Sequence, residues 1–99
     1  KRLEEAHTRI REMSTEEVER RVAHAVLRLA RQAGKKEEHG IRIDFPITRQ
    51  DIAEMTGTTL HTVSRILSNW EGQGFVRGGR QKLTVISMAG IKRLADGNP

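Results

Sequence analysis

Between Thr48 and Trp70 two helix-start signals stand so close together that the chain has room only for two short helices, with a sharp bend at Gly57 between them. Thr48 followed by Asp51 has the spacing at which each side chain satisfies a backbone donor at the other's position, so a helix opens there. Its inward residues are expected to be Ile52, Ala53 and Met55. Gly57 interrupts it, and Thr59 caps the next helix, whose apolar row is Val63, Ile66, Leu67 and Trp70. Gly72 and Gly74 bring that helix to an end. Phe75-Val76, a turn at Arg77-Gly78-Gly79-Arg80 and the β-prone run Leu83-Thr84-Val85-Ile86 then predict a hairpin. Two short helices around a glycine-containing turn, followed by a hairpin, is the order of a winged helix-turn-helix. The fold class expected is therefore mainly α with a small β-hairpin wing.

The flanking segments are less constrained. Leu3, Ala6, Ile10 and Met13 recur at the a/d rhythm of a coiled-coil seam among charged residues, so residues 1–13 read as the end of a dimerisation helix or, more blandly, as a frayed amphipathic arm. Ser14 with Glu17 repeats the capping spacing and predicts a new helix carrying Val18, Val22, Ala25, Val26, Leu29 and Ala33, stopped by a left-handed Gly34. Residues 14–99 would then form the domain proper. The polar stretch 35–40 reads as an exposed loop, and Ile41, Ile43 and Phe45 as one short strand before Pro46. Ser87 caps a last short helix with Ile91 and Leu94, and 97–99 should fray. Opening at Lys1 within helical pattern, the chain reads as an excised or processed piece of something longer.

With 99 residues, 35% hydrophobic and 3% aromatic, the core must be small. Eighteen Lys+Arg against thirteen Asp+Glu leave a net charge of +5, which favours a polyanionic partner. The absence of cysteine excludes disulfides, thiolate metal sites and thiol nucleophiles. No apolar run approaches a membrane span and no signal peptide is visible, so a soluble, cytoplasmic setting is expected. His7, His24 and His39 have no spacing that gathers metal ligands.

The second helix carries the chemistry. With Val63, Ile66, Leu67 and Trp70 inward, its 3.6-residue period sends His61, Ser64, Arg65 and Ser68 outward, with Leu60 and Thr62 at the leading turn. Such short donors and acceptors, plus an arginine able to grip guanine at two atoms, suit the major groove of DNA. Arg65, Ser64, His61 and Leu60 are the expected base contacts, Leu60 through a thymine methyl. Thr48, Arg49 and Gln50 stand at a helix N-terminus suited to phosphate; Arg77, Arg80 and Lys82 crowd the wing; Thr59, Thr62 and Ser68 complete the expected backbone contacts.

Residues 47–76, ITRQDIAEMTGTTLHTVSRILSNWEGQGFV, resemble the helix-turn-helix of the cyclic-AMP receptor / fumarate-nitrate regulator (Crp/Fnr) family, most closely in Thr48-Arg49-Gln50, Ile52-Ala53 and the Thr62-Val63-x-Arg65-Ile66-Leu67 core. The resemblance implies a transcription regulator that binds a palindromic promoter site as a homodimer, with double-stranded DNA and RNA polymerase as partners. It also implies an upstream effector-binding domain outside this chain, and no cofactor within it. In that family the outward stripe usually reads Glu-x-x-Ser-Arg or Arg-Glu-x-x-x-Arg. Here Ser64 and Arg65 match the first form, whereas His61 stands in place of the glutamate and Leu60 in place of the first arginine of the second. Neutral histidine offers one donor and one acceptor where glutamate only accepts, so the base facing His61 should differ from the family's commonest choice.

Two other readings compete. A winged helix can serve as a protein-interaction or RNA-binding module, although a protein partner would want exposed aromatic or aliphatic anchors, of which Leu60 is the one candidate. An enzyme could be imagined from His61, Ser64 and Asp51, but two short helices and a hairpin offer neither pocket nor oxyanion hole.

Overall fold

A computed structural model describes the backbone over residues 2–97 and the side chains over residues 16–97. In order the elements are α1 (Arg2–Ala33), β1 (Gly34–Glu37), β2 (Gly40–Ile43), α2 (Arg49–Thr56), α3 (Leu60–Gly72), β3 (Val76–Gly79), β4 (Lys82–Val85) and α4 (Met88–Ala95). The strands form one antiparallel sheet in the order β1-β2-β4-β3. This is the winged helix-turn-helix expected, with a larger sheet.

The first departure is in α1, which runs unbroken through Ser14. Neither glycine nor proline stands near Ser14, and a capping side chain ends nothing where the backbone before it is free to stay helical. The seam residues Leu3, Ala6, Ile10 and Met13 lie on this helix, and their side chains fall outside the described residues, as do Asn98 and Pro99. From Val18 onward the buried face of α1 is wider than the row read from the sequence: Val22, Ala23 and Val26 are fully covered, and Ala25, Leu27 and Ala30 nearly so.

The second departure is the expected loop at 35–40, which is a hairpin. Gly34 pairs with Ile43 and Glu37 with Gly40. Gly34 is not left-handed; it starts β1, where a Cβ would overlap the Ala30 carbonyl and the Ile41 side chain. Lys35 faces Arg42 across the strands, an unfavourable like-charge pair. Glu37 offsets it by accepting from Arg42 Nε at 2.8 Å, and Asp44 accepts from Nη1 at 3.4 Å. The hydrogen bond to Glu37, foremost, holds the Arg42 guanidinium above its already high ordinary pKa. Phe45 lies beyond the strand and is exposed, while Ile43 is buried.

The core gathers Val22 and Val26 of α1, Ile43, Ile52, Val63, Trp70, Val85 and Ile91 around one centre. At about 25 cal/mol per Å², such branched and aromatic side chains each contribute roughly 1.5–3 kcal/mol on burial. Met55, expected inward, is 52% exposed; Thr56 takes the buried place and donates its hydroxyl to the Ile52 carbonyl at 2.7 Å. That internal bond is what lets a polar side chain sit there. The wing turns at Arg80-Gln81, not at Gly78-Gly79: Gly79 pairs with Lys82, and Gln81 carries the positive φ of 57°.

Candidate nucleic-acid interface

The geometry of α2 and α3 follows from their caps. Thr48 Oγ1 accepts from the Asp51 N–H at 3.0 Å, and Asp51 Oδ2 accepts from the Thr48 N–H at 2.9 Å. This leaves the N–H groups of Arg49 and Gln50 as first-turn donors pointing out of the helix. Gly57 ends α2 at φ 73°, ψ 33°, a conformation that costs a residue with a Cβ roughly 1–2 kcal/mol. Thr59 then caps α3, accepting from the Thr62 N–H at 3.2 Å and donating its own hydroxyl to Thr62 Oγ1 at 3.0 Å.

On α3, Val63, Ile66, Leu67 and Trp70 are buried as the period requires. Leu60, His61, Arg65 and Ser68 are exposed on the other side, and Thr62 and Ser64 are half-exposed. Among the described residues no carboxylate lies within ion-pair distance of Arg65. Arg77, Arg80 and Lys82 are exposed along the wing. The first-helix cluster is more tied down: Gln50 donates to Glu54 at 3.1 Å, and Arg49 Nη2 donates to Glu71 Oε1 at 3.3 Å.

Three side chains that the sequence reading passed over hold these elements together. Glu71 also accepts from the Gly78 N–H at 2.9 Å, joining α3 to the wing. Glu19 of α1 accepts from Trp70 Nε1 at 2.9 Å, and Arg21 Nε donates to the Thr56 carbonyl at 3.1 Å. A carboxylate in the last turn of α3 opposes the helix dipole, and that mismatch is the sequence signal that could have singled out Glu71. Nothing in the sequence pairs Glu19 with a residue 51 positions away.

An exposed polar helix seated on a second helix and flanked by a basic hairpin defines a winged helix-turn-helix domain. Residues 20–94 match the Crp-like helix-turn-helix domain, and the chain belongs to that family. It is 35% identical over 97 residues to the cyclic AMP receptor protein of Thermus thermophilus, covering 98% of this chain and 42% of that protein. It is 29% identical over 94 residues to the transcriptional regulator SdrP of the same organism, covering 95% of this chain and 46% of that one. Among solved structures, the catabolite activator protein of Thermus thermophilus superposes with a TM-score of 0.77 at 35% identity, covering 99% of this chain and 43% of that chain. The chain thus spans less than half the length of these relatives. Among the described residues no helix is long and apolar enough to cross a membrane, and no group of three or more His, Cys, Asp or Glu could hold a metal ion.

Proposed function

We propose that the chain is the sequence-specific DNA-binding module of a bacterial transcription regulator, placing α3 in the major groove. The observation that carries this is the outward row of α3: polar and exposed, its one arginine, Arg65, free of any ion pair among the described residues, on a helix held firmly from behind. Arg65 grips guanine at two atoms, Ser64 and His61 read neighbouring base edges, and Leu60, 48% exposed, lies against a thymine methyl. Backbone phosphates are met by Thr48, Arg49 and Gln50 at the start of α2, by Thr59, Thr62 and Ser68 along α3, and by Arg77, Arg80 and Lys82 of the wing. Dimerisation through Leu3, Ala6, Ile10 and Met13 sets two such helices about one DNA turn, ~34 Å, apart on a palindromic site. At a promoter RNA polymerase is the neighbouring partner.

Selection of bound sequences from a randomised duplex pool, with affinity taken at two salt concentrations, tests the reading. Enrichment of a two-fold symmetric site with a guanine in each half is expected. His61→Glu should then change the selected base at one position of each half to one bearing an amino group, cytosine or adenine. Salt-dependent binding with no enriched sequence would favour instead a basic protein-interaction or RNA-binding module.

A further inference from the structure

Among the described residues, Glu71 is the one side chain of α3 that hydrogen-bonds both to α2 and to the wing. Its Oε1 accepts from Arg49 at the start of α2, and its Oε2 accepts from the Gly78 N–H in β3, between Arg77 and the wing turn. The carboxylate is about one-third exposed and stands at the negative end of the α3 dipole. Left alone it would be destabilising there, so the two donors are what make the position tenable. The wing approaches closely enough that a Cβ on Gly78 would lie 2.9 Å from Glu71 Oε2, so any side chain there would push the carboxylate aside. Glu71 also lines a small cavity of about 20 Å³ together with Ile52, Leu67, Val76 and Leu83, side chains of α2, α3 and the wing.

We propose that Glu71 is a positioning residue for DNA recognition: by tying Arg49 and the wing to the end of α3, it holds the two sets of backbone contacts at one fixed spacing around the reading helix. It touches no base, yet it narrows which sites can be bound, because a duplex gains both flanking contacts only when α3 lies in the register that lets Arg65 meet its base. This rests on the DNA-binding reading above.

The test compares the wild-type chain with E71A and E71Q on two duplexes, the sequence that the wild type selects from a random pool and a scrambled duplex of equal length. E38Q, which removes the same charge at the turn between β1 and β2, is the control. The side-chain amide of E71Q can still accept from the Gly78 N–H but cannot form an ion pair with Arg49, and this variant keeps the assay informative if E71A unfolds. For E71A the ratio of selected to scrambled affinity should fall roughly five- to tenfold, the net worth of one ordinary hydrogen bond, with scrambled binding no weaker than wild type. E71Q should fall between the two, and E38Q should leave the ratio unchanged. Equal loss on both duplexes would mean only that less protein is folded, and equal gain would mean only that a repelling charge is gone; either overturns the proposal. A wild type that binds the two duplexes alike overturns the DNA reading itself, before any variant is compared.

Discussion

Gly57 and Gly72 should answer the same substitution with opposite signs. At Gly57 φ is +73°, and an added Cβ would meet nothing within 4 Å, so Gly57→Ala creates no clash and removes no contact. The C-cap bond from the Gly57 N–H to the Ala53 carbonyl stays available. What remains is the left-handed backbone, costing alanine roughly 1–2 kcal/mol, less about 0.4–1 kcal/mol returned because the unfolded chain loses freedom. The net expectation is a loss of about 1 kcal/mol. Gly72 also has open space around its Cβ position, but it closes α3 without a positive φ. There alanine should gain about 0.5 kcal/mol from helix propensity, reduced from the mid-helix value by the terminal position. For a domain of this size 1 kcal/mol moves Tm by about 4–8 °C, so the two variants should melt roughly 6–12 °C apart, on either side of wild type. Thermal unfolding followed by far-ultraviolet circular dichroism gives the order directly, and Gly57→Asn should recover much of the loss, since asparagine tolerates this conformation. Two alanines that shift Tm in the same direction would refute the argument from backbone conformation.

Arg65→Ala should cost roughly 1–3 kcal/mol in affinity for the selected site and relax preference at one base position, read by titrating single-base variants. Arg80→Ala should weaken binding to every duplex alike and lower the salt slope by about 1; a changed base preference would show that the wing reads sequence. Glu19→Ala leaves Trp70 Nε1 without its acceptor, which should cost about 1–3 kcal/mol in urea unfolding. Trp70→Phe removes the same donor, so in a double-mutant cycle the two losses should be clearly less than additive, and full additivity would remove the bond from the account.

What the sequence made legible was local. The Thr48–Asp51 cap, the bend at Gly57, the Thr59 cap and the apolar row through Trp70 each depend on residues within one or two turns of each other, and each stands where its pattern placed it. The misreadings share the opposite cause. Ser14–Glu17 has the capping spacing, but the backbone of α1 runs through it without a break. Residues 35–40 look like solvated loop because their side chains are exposed; it is the backbone pairing with β2, invisible to periodicity, that makes them strand. Met55 and Thr56 exchanged places because a hydroxyl bonded to its own helix packs where a bare hydropathy pattern would put the thioether. The outward stripe of α3 could be written down in advance, whereas two of the struts behind it, Glu19 and Arg21, reach partners 51 and 35 positions away and emerge only with the fold; Glu71 was legible only as a carboxylate at the unfavourable end of a helix dipole.

Trp70 is the sole tryptophan of the chain, which has no tyrosine at all. Its indole is fully buried in α3, and its one polar atom is bonded to Glu19 on the long first helix. All tryptophan emission from this chain therefore originates at the joint between α1 and α3. If α1 shifts against α3 when DNA is bound, the indole exchanges a carboxylate for water and its emission moves to the red; if the joint stays closed, the spectrum stays still. The protein thus carries an unlabelled optical gauge of whether its two halves move as one body.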